Sequence, residues 1–185
     1  PLTVTTSTIF CPAIFSPAAC IAWIRWVILS LTPYLISSAH FAAMVGVLDR
    51  ALAFVDGLRD EAAQAAETAR PVRPLDQLKA VTRWAMQTQL EGQMPSLPAQ
   101  NSNLSASLQS NDAYMDRLIS LSNRLSIWIT EAQTSGQLQP TLPAELVLYT
   151  LFARACDPVV ALLKESGLYT HVQIIDWVSS TTFDG

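Results

Sequence analysis

From Phe41 onward the apolar positions fall at helical spacing. Met44, Leu48, Leu52, Val55, Leu58, Ala62 and Ala66 step by three and four, which traces one helix face. Asp49, Arg50, Asp56, Arg59, Asp60 and Glu61 lie mostly off that stripe. The pattern predicts a first helix from about Phe41 to Ala69, ended by Pro71 and Pro74. Leu75, Leu78, Val81, Met86 and Leu90 make a second stripe and predict a helix from about Leu75 to Gln93, closed by Pro95 and Pro98. Residues 96–110 are polar and small, and read as a loop or a short, poorly formed helix. A third helix is predicted to start at Asn111 or Asp112, either of which suits an N-cap. Its stripe is Tyr114, Leu118, Leu121, Leu125, Trp128 and Ala132, and Gly136 is its expected stop.

The last fifty residues are punctuated differently. Pro143 suits a first helical position, and a nearly unbroken apolar run follows from Leu146 to Ala153. Asp157-Pro158 reads as an N-cap followed by proline at the first helical position, so this helix is kinked or split there. Val159, Val160, Leu162 and Leu163 carry the apolar surface on to Gly167. Thr170-His171-Val172-Gln173 fits a capping box ahead of a final helix with Ile174, Ile175, Trp177, Val178 and Phe183. A helix that is apolar most of the way round is central in a large core or is buried twice. A domain of this size is too small to bury both elements alone. The economical arrangement is a homodimer with a four-helix interface. Its candidate residues are Val147, Leu148, Leu151, Phe152, Ala155, Val159, Leu162, Leu163, Ile174, Ile175 and Val178. The other arrangement is that the same helices simply form the monomer's core.

The N-terminal pattern breaks from all of this. Residues 1–48 hold a single charged side chain, Arg25, and charges recur every few residues from Asp49. So sharp a shift divides the chain into an atypical apolar segment, 1–40, and a helical domain, 41–185. Residues 17–37 are about as long as a membrane span, which needs roughly 20 apolar residues. Arg25 lies inside that run, Pro33 interrupts it, and no basic region precedes it, so neither a membrane span nor a secretory signal is the expectation. Pro1 in place of Met points to a processed, trimmed or partial chain. A further reading is that residues 1–39 are translated out of frame, which the coding DNA decides.

Composition narrows the function. The 185-residue chain is 50% hydrophobic and 14% charged, against about 25% charged in ordinary globular chains. A core is therefore available and disorder throughout is excluded. A net charge of −4 argues against a chain that is basic overall, the usual footprint of a nucleic-acid binder. Cys11, Cys20 and Cys156 are too few for a disulfide framework, and a reducing, cytoplasmic setting follows. Cys11 and Cys20 have no second pair to complete a zinc site. His40 and His171 are far apart in sequence, and His171 is expected to be exposed beside its N-cap. Cys156 has no nearby histidine and reads as a buried structural thiol. Asp112 and Asp116 read as a solvated face, and the phosphate-loop, dinucleotide and nucleophile-elbow motifs are all missing. The expectation is a non-enzyme with no metal and no cofactor.

Several segments resemble one family. They are Gly136-Gln137-Leu138 with Leu142-Pro143-Ala144-Glu145, Cys156-Asp157-Pro158-Val159-Val160, Leu163-Lys164-Glu165-Ser166-Gly167, and Ile174-Ile175-Asp176-Trp177 leading to Thr182-Phe183-Asp184-Gly185. In order and spacing they resemble the C-terminal regulatory domain of the tetracycline-repressor (TetR) family of transcription regulators. Val47-Leu48-Asp49-Arg50-Ala51-Leu52 resembles the helix that links this family's DNA-binding head to its regulatory body. Trp84-Ala85-Met86 and Leu90-Glu91-Gly92-Gln93-Met94-Pro95 resemble stretches of some members. The resemblance covers residues 41–185. It implies an all-α, TetR-like helical bundle behind an irregular or helical apolar N-terminal segment. It also implies a homodimer, and a small-molecule effector that releases operator DNA. Ligand sites are mostly apolar and aromatic with a few orienting polar groups. The pocket candidates are Trp84, Gln87, Thr88, Glu91 and Met94 on the second helix, and Met115, Leu118, Ser122 and Trp128 on the third. The competing reading makes the Trp and Met residues plain core and the polar ones surface.

Residues 1–40 depart from the family. Its members carry a three-helix head with a helix-turn-helix there, whereas this stretch has no Lys and no Gly. One Arg cannot neutralise the 6–10 phosphates such a head usually contacts. This chain is therefore not expected to bind operator DNA well, although intact relatives would. The alternative is a head-less helical ligand-binding or dimerisation module, tethered to a membrane through residues 17–37.

Overall fold

The structure is a computed structural model that describes the backbone of residues 17–68, 71–95 and 107–184, with side chains from residue 38. Cys11 and the side chains of the apolar run 17–37, those of Cys20 and Arg25 among them, lie outside what is described. Six helices are described from end to end, with no strand among the described residues: α1 (Pro17–Glu67), α2 (Pro74–Leu90), α3 (Asp112–Thr134), α4 (Ala144–Arg154), α5 (Pro158–Glu165) and α6 (His171–Phe183); residues 107–109 are helical as well. The chain is an all-α helical bundle. It divides into two units, Pro1–Ala39 and His40–Gly185, and the larger unit is the bundle itself.

The helix boundaries follow from local chemistry, with instructive shifts. α1 begins at Pro17 rather than near Phe41. Between Tyr34 and His40 there is no Gly, Pro, Asn or Asp to interrupt it. α2 stops at Leu90, three residues short of the predicted Gln93. Gly92 adopts φ 73°, a left-handed conformation that costs an L side chain energy. The Gln93 amide then bonds back to the Thr88 carbonyl and the Gly92 amide to Gln89, a Schellman end. Gly136, at φ 72°, ends α3 in the same way through Gln137 to Ala132 and Gly136 to Gln133. At the start of α3 the Asn111 side chain accepts from the Tyr114 amide at 2.9 Å. Pro143 stands at the N-cap of α4, one position before the first helical residue expected for it. Asp157 caps α5 ahead of Pro158, and Thr170 with Gln173 forms the capping box of α6.

α2 is the hub. Leu78 and Val81 join Leu48, Ala51 and Val55 of α1, Leu121, Leu125, Trp128, Ile129 and Ala132 of α3, and Leu148 and Leu151 of α4 in one core. Met86 and Leu90, nearer its C-terminus, join Val160 of α5 and Ile174, Ile175 and Val178 of α6 in a second core. Polar contacts fix the directions. Asp49 pairs with Arg117 at 2.6 Å and Asp56 pairs with Arg124, so α1 and α3 run in parallel. Gln77 donates to the Leu58 carbonyl while Arg50 binds Gln93, so α2 runs back along α1. Lys79–Asp184 and Arg83–Asp176, both at 2.7 Å, set α6 antiparallel to α2.

One stretch, Ala144–Glu165, is long and apolar enough to cross a membrane by length and composition. Here it is two helices broken at Asp157, with Leu148, Leu151 and Val160 buried in the bundle.

Candidate functional site

The first core is not solid. Between α1, α2, α3 and α4 lies a cavity of about 280 Å³. α1 contributes Met44, Val47, Leu48 and Ala51 to its wall, and α2 contributes Val81, Thr82, Trp84 and Ala85. Tyr114, Leu118, Leu121 and Leu125 of α3 face them, with Leu151, Phe152, Ala155 and Cys156 from α4 and its end. Met94 and Pro95, just past α2, complete it. These are the apolar faces that helical periodicity brings together. Small residues at Ala51, Ala85 and Ala155 leave the volume that larger side chains would fill.

The wall carries no charged side chain. Its polar side-chain atoms are few. The Thr82 hydroxyl donates to the Leu78 carbonyl within its own helix at 2.9 Å. Trp84 stacks on Phe54, ring centroids 5.5 Å apart at 17°. The Tyr114 hydroxyl has no hydrogen-bond partner among the described residues, and Tyr114 is half-buried. Burial pushes the Tyr114 phenol above its ordinary range, and the neighbouring Cys156 adds to that. Burial likewise pushes the Cys156 thiol up, so it stays protonated and a poor nucleophile at neutral pH.

Charges sit at the rim, where they tie the wall together. Arg50 Nη1 donates to Gln93 Oε1 at 2.9 Å and Arg50 Nη2 to the Gln93 carbonyl at 3.2 Å. This fastens the turn carrying Met94 and Pro95 to α1. Behind Cys156, buried Asp157 accepts from Arg154 and from the Val159 amide, and its carbonyl accepts from Gln89 at 2.9 Å. One carboxylate thus joins the end of α4, the start of α5 and, through its own backbone, α2.

The nine pocket candidates separate. Trp84, Met94 and Leu118 line the cavity. Gln87 and Glu91 bond to each other on the outside of α2. Thr88 is buried with its hydroxyl turned back to the Trp84 carbonyl. Ser122 does the same toward Leu118, and Met115 lies off the cavity, half-buried. Trp128 is a core residue that borders a separate, charge-lined cleft with Asp56, Arg59, Arg124 and Glu131. Tyr114 and Cys156 were legible only as stripe and core residues, because nothing in helical spacing distinguishes a packed face from one that borders a void.

The interface candidates separate as well. Leu148, Leu151, Ile174, Ile175 and Val178 are buried in this chain's own cores. Val147, Phe152 and Leu163 are half-buried against them, and Ala155 lines the cavity with Phe152. Val159 and Leu162 are exposed. Other large apolar residues are exposed with them: Leu146 and Tyr149 on α4, Leu168 and Tyr169 before α6, and Val172 and Trp177 on it. Tyr169 and Trp177 meet edge-to-face at 5.0 Å.

His171 is exposed, and among the described residues no cluster of three or more His, Cys, Asp or Glu is placed to hold a metal ion. Comparison with protein-family models, curated proteins and solved structures found no match to this chain.

Proposed function

We propose that this chain is the ligand-binding and dimerising body of a ligand-responsive transcription regulator of TetR type, acting in the cytoplasm. The observation that carries the reading is the apolar cavity lined by α1 to α4, with α1 as one wall. In this family's arrangement the first helix of the body leads to the DNA-reading head. A small molecule that binds one position of α1 better than another shifts the population between them. Two heads must meet half-sites about one DNA turn apart, so a small change in their spacing releases operator DNA. Arg25 is the one charged residue before Asp49, so this chain itself binds operator DNA poorly.

The dimer reading is supported by the apolar side chains that α4, α5 and α6 leave in solvent. Exposed apolar patches of this kind mark interaction surfaces. Leu162, Val172 and Trp177 replace the buried Leu151 and Ile175 as the residues to perturb. Sedimentation of the purified chain is expected to give twice the monomer mass, reduced to monomer by Leu162→Asp or Trp177→Asp. A monomeric wild type overturns the dimer.

The regulator reading is tested by the coding DNA, read in three frames across and upstream of codons 1–48. A basic helix-turn-helix that joins Phe41 in another frame supports it. If no frame encodes one, the chain is a head-less module, and aggregation relieved by detergent then assigns residues 17–37 to a membrane.

A further inference from the structure

We infer that the cavity takes a neutral, largely apolar molecule about two fused rings in size, oriented by one hydrogen bond to the Tyr114 hydroxyl. The inference rests on the ligand-binding reading above and names the chemical class of the ligand.

Size comes from the volume. An engineered apolar cavity of about 150 Å³ stays dry and binds benzene. The present cavity, about 280 Å³, is a little under twice that. Neutrality comes from the wall. The residues around the cavity include no Lys, Arg, Asp or Glu. An ion moved into such a site loses its hydration and gains no partner, so charged molecules are rejected. Arg50 bonds to Gln93 and Arg154 pairs with Asp157, and neither side chain is among those that line the cavity.

Orientation comes from the polar group that can both donate and accept. Thr82 spends its proton on Leu78. The Cys156 thiol is a weak donor and acceptor, and the Trp84 indole N–H can only donate. Tyr114 is half-buried and on the wall, and its hydroxyl has no hydrogen-bond partner among the described residues. A phenol both donates and accepts, so it serves a ligand hydroxyl, ether or carbonyl alike. The stacked Trp84 and Phe54 lie on the α1–α2 side, where Trp84 offers the wall a flat aromatic surface.

The test is calorimetry on the full chain at pH 7 with three probes of one shape: naphthalene, 2-naphthol and 2-naphthoate. The naphthol is expected to bind most tightly and naphthalene roughly three- to tenfold more weakly, the worth of one neutral hydrogen bond. The naphthoate is expected to bind at least about a hundredfold more weakly than the naphthol, since a buried charge is left unpaired. Tyr114→Phe should abolish the naphthol preference and leave naphthalene unchanged. Ala85→Phe, or Ala155→Phe if that variant does not fold, should fill the cavity and block all binding. If naphthoate binds as well as the naphthol and Ala85→Phe blocks it, the ligand class is wrong while the cavity remains a ligand site. A naphthol preference that survives Tyr114→Phe overturns the role of Tyr114. If no probe binds the wild type, the ligand-binding reading fails with it.

Discussion

The two sides of α2 are filled differently. Toward α5 and α6, Met86, Leu90, Val160, Ile174, Ile175 and Val178 pack against one another, with Met86, Val160 and Ile174 at 0% exposure, and the cleft that borders Leu90 and Val160 is lined by Gln89, Lys164 and Glu165 as well. Toward α1, α3 and α4, an equally apolar set surrounds a cavity of about 280 Å³. Protein interiors are close-packed, and voids larger than a water molecule are few. An apolar void marks a place where stability has been given up. The side that holds it is also the one that includes α1. The comparison teaches that the cleft toward α5 and α6 is rimmed by charged and polar side chains, whereas the space toward α1, α3 and α4 is walled by apolar ones.

The largest test of that contrast is truncation in the core toward α5 and α6. Ile174→Ala should cost about 2–5 kcal/mol in denaturant unfolding, because Ile174 is fully buried and its loss opens a cavity. Leu118→Ala, on a wall already bordering a void, should cost less than that range. Equal costs would erase the distinction. Overpacking sharpens it from the other direction. Val178→Phe should destabilise by roughly 1–3 kcal/mol, whereas Ala85→Phe, on the cavity wall, should cost little or raise the melting temperature. A smaller effect is expected from the capping box. Thr170→Ala removes the acceptor for the Gln173 amide and should cost about 1 kcal/mol, felt first by α6 and therefore by the core it shares with α5.

The smallest effect is with pH, and it belongs to the open side. The Tyr114 phenol and the Cys156 thiol are both held above their ordinary values of 10.0 and 9.0. Below those values both groups are neutral whether the chain is folded or not, and stability is unaffected. As pH rises past about 9 the unfolded chain releases its protons first, so folding weakens progressively. Melting temperature should therefore decline from pH 9 upward, less steeply in Cys156→Ala. An unchanged slope in that variant would show that the thiol is not desolvated by the fold.

How much of this was legible in the sequence depended on whether the information was local. Asn111, Asp157 and the Thr170–Gln173 box act on the residues next to them, and each caps the helix expected. Gly136 stops α3 for the same reason. Gly92 carries the same local signal, and α2 ends ahead of it, three residues before the end that Pro95 predicts. What spacing does not carry is which neighbour a stripe meets. Ile174, Ile175 and Leu151 looked surplus to a small domain, yet α2 has two faces to receive them. The exposed apolar surplus lies on Val159 and Leu162, which were interface candidates, and on Trp177, which was not. Likewise Gln87, Glu91 and Ser122 looked suited to orienting a ligand, but their polar groups are satisfied within their own helices. The cavity is a property of how four helices miss filling a space, and no single helix encodes it.

The paired ladder between α1 and α3 has a mechanical consequence. Asp49–Arg117 and Asp56–Arg124 repeat with the same seven-residue step on both helices. Sliding α1 by one turn, about 5.4 Å, would set apolar positions near Leu52 against Arg117. A slide of two turns would bring Asp56 to Arg117 but leave Arg124 facing Ala63. Translation along the axis therefore has no second matched register, whereas tilting or rolling about the paired edge keeps both links. The two ion pairs thus favour tilting of α1 over sliding, by the modest amount that partly exposed pairs contribute.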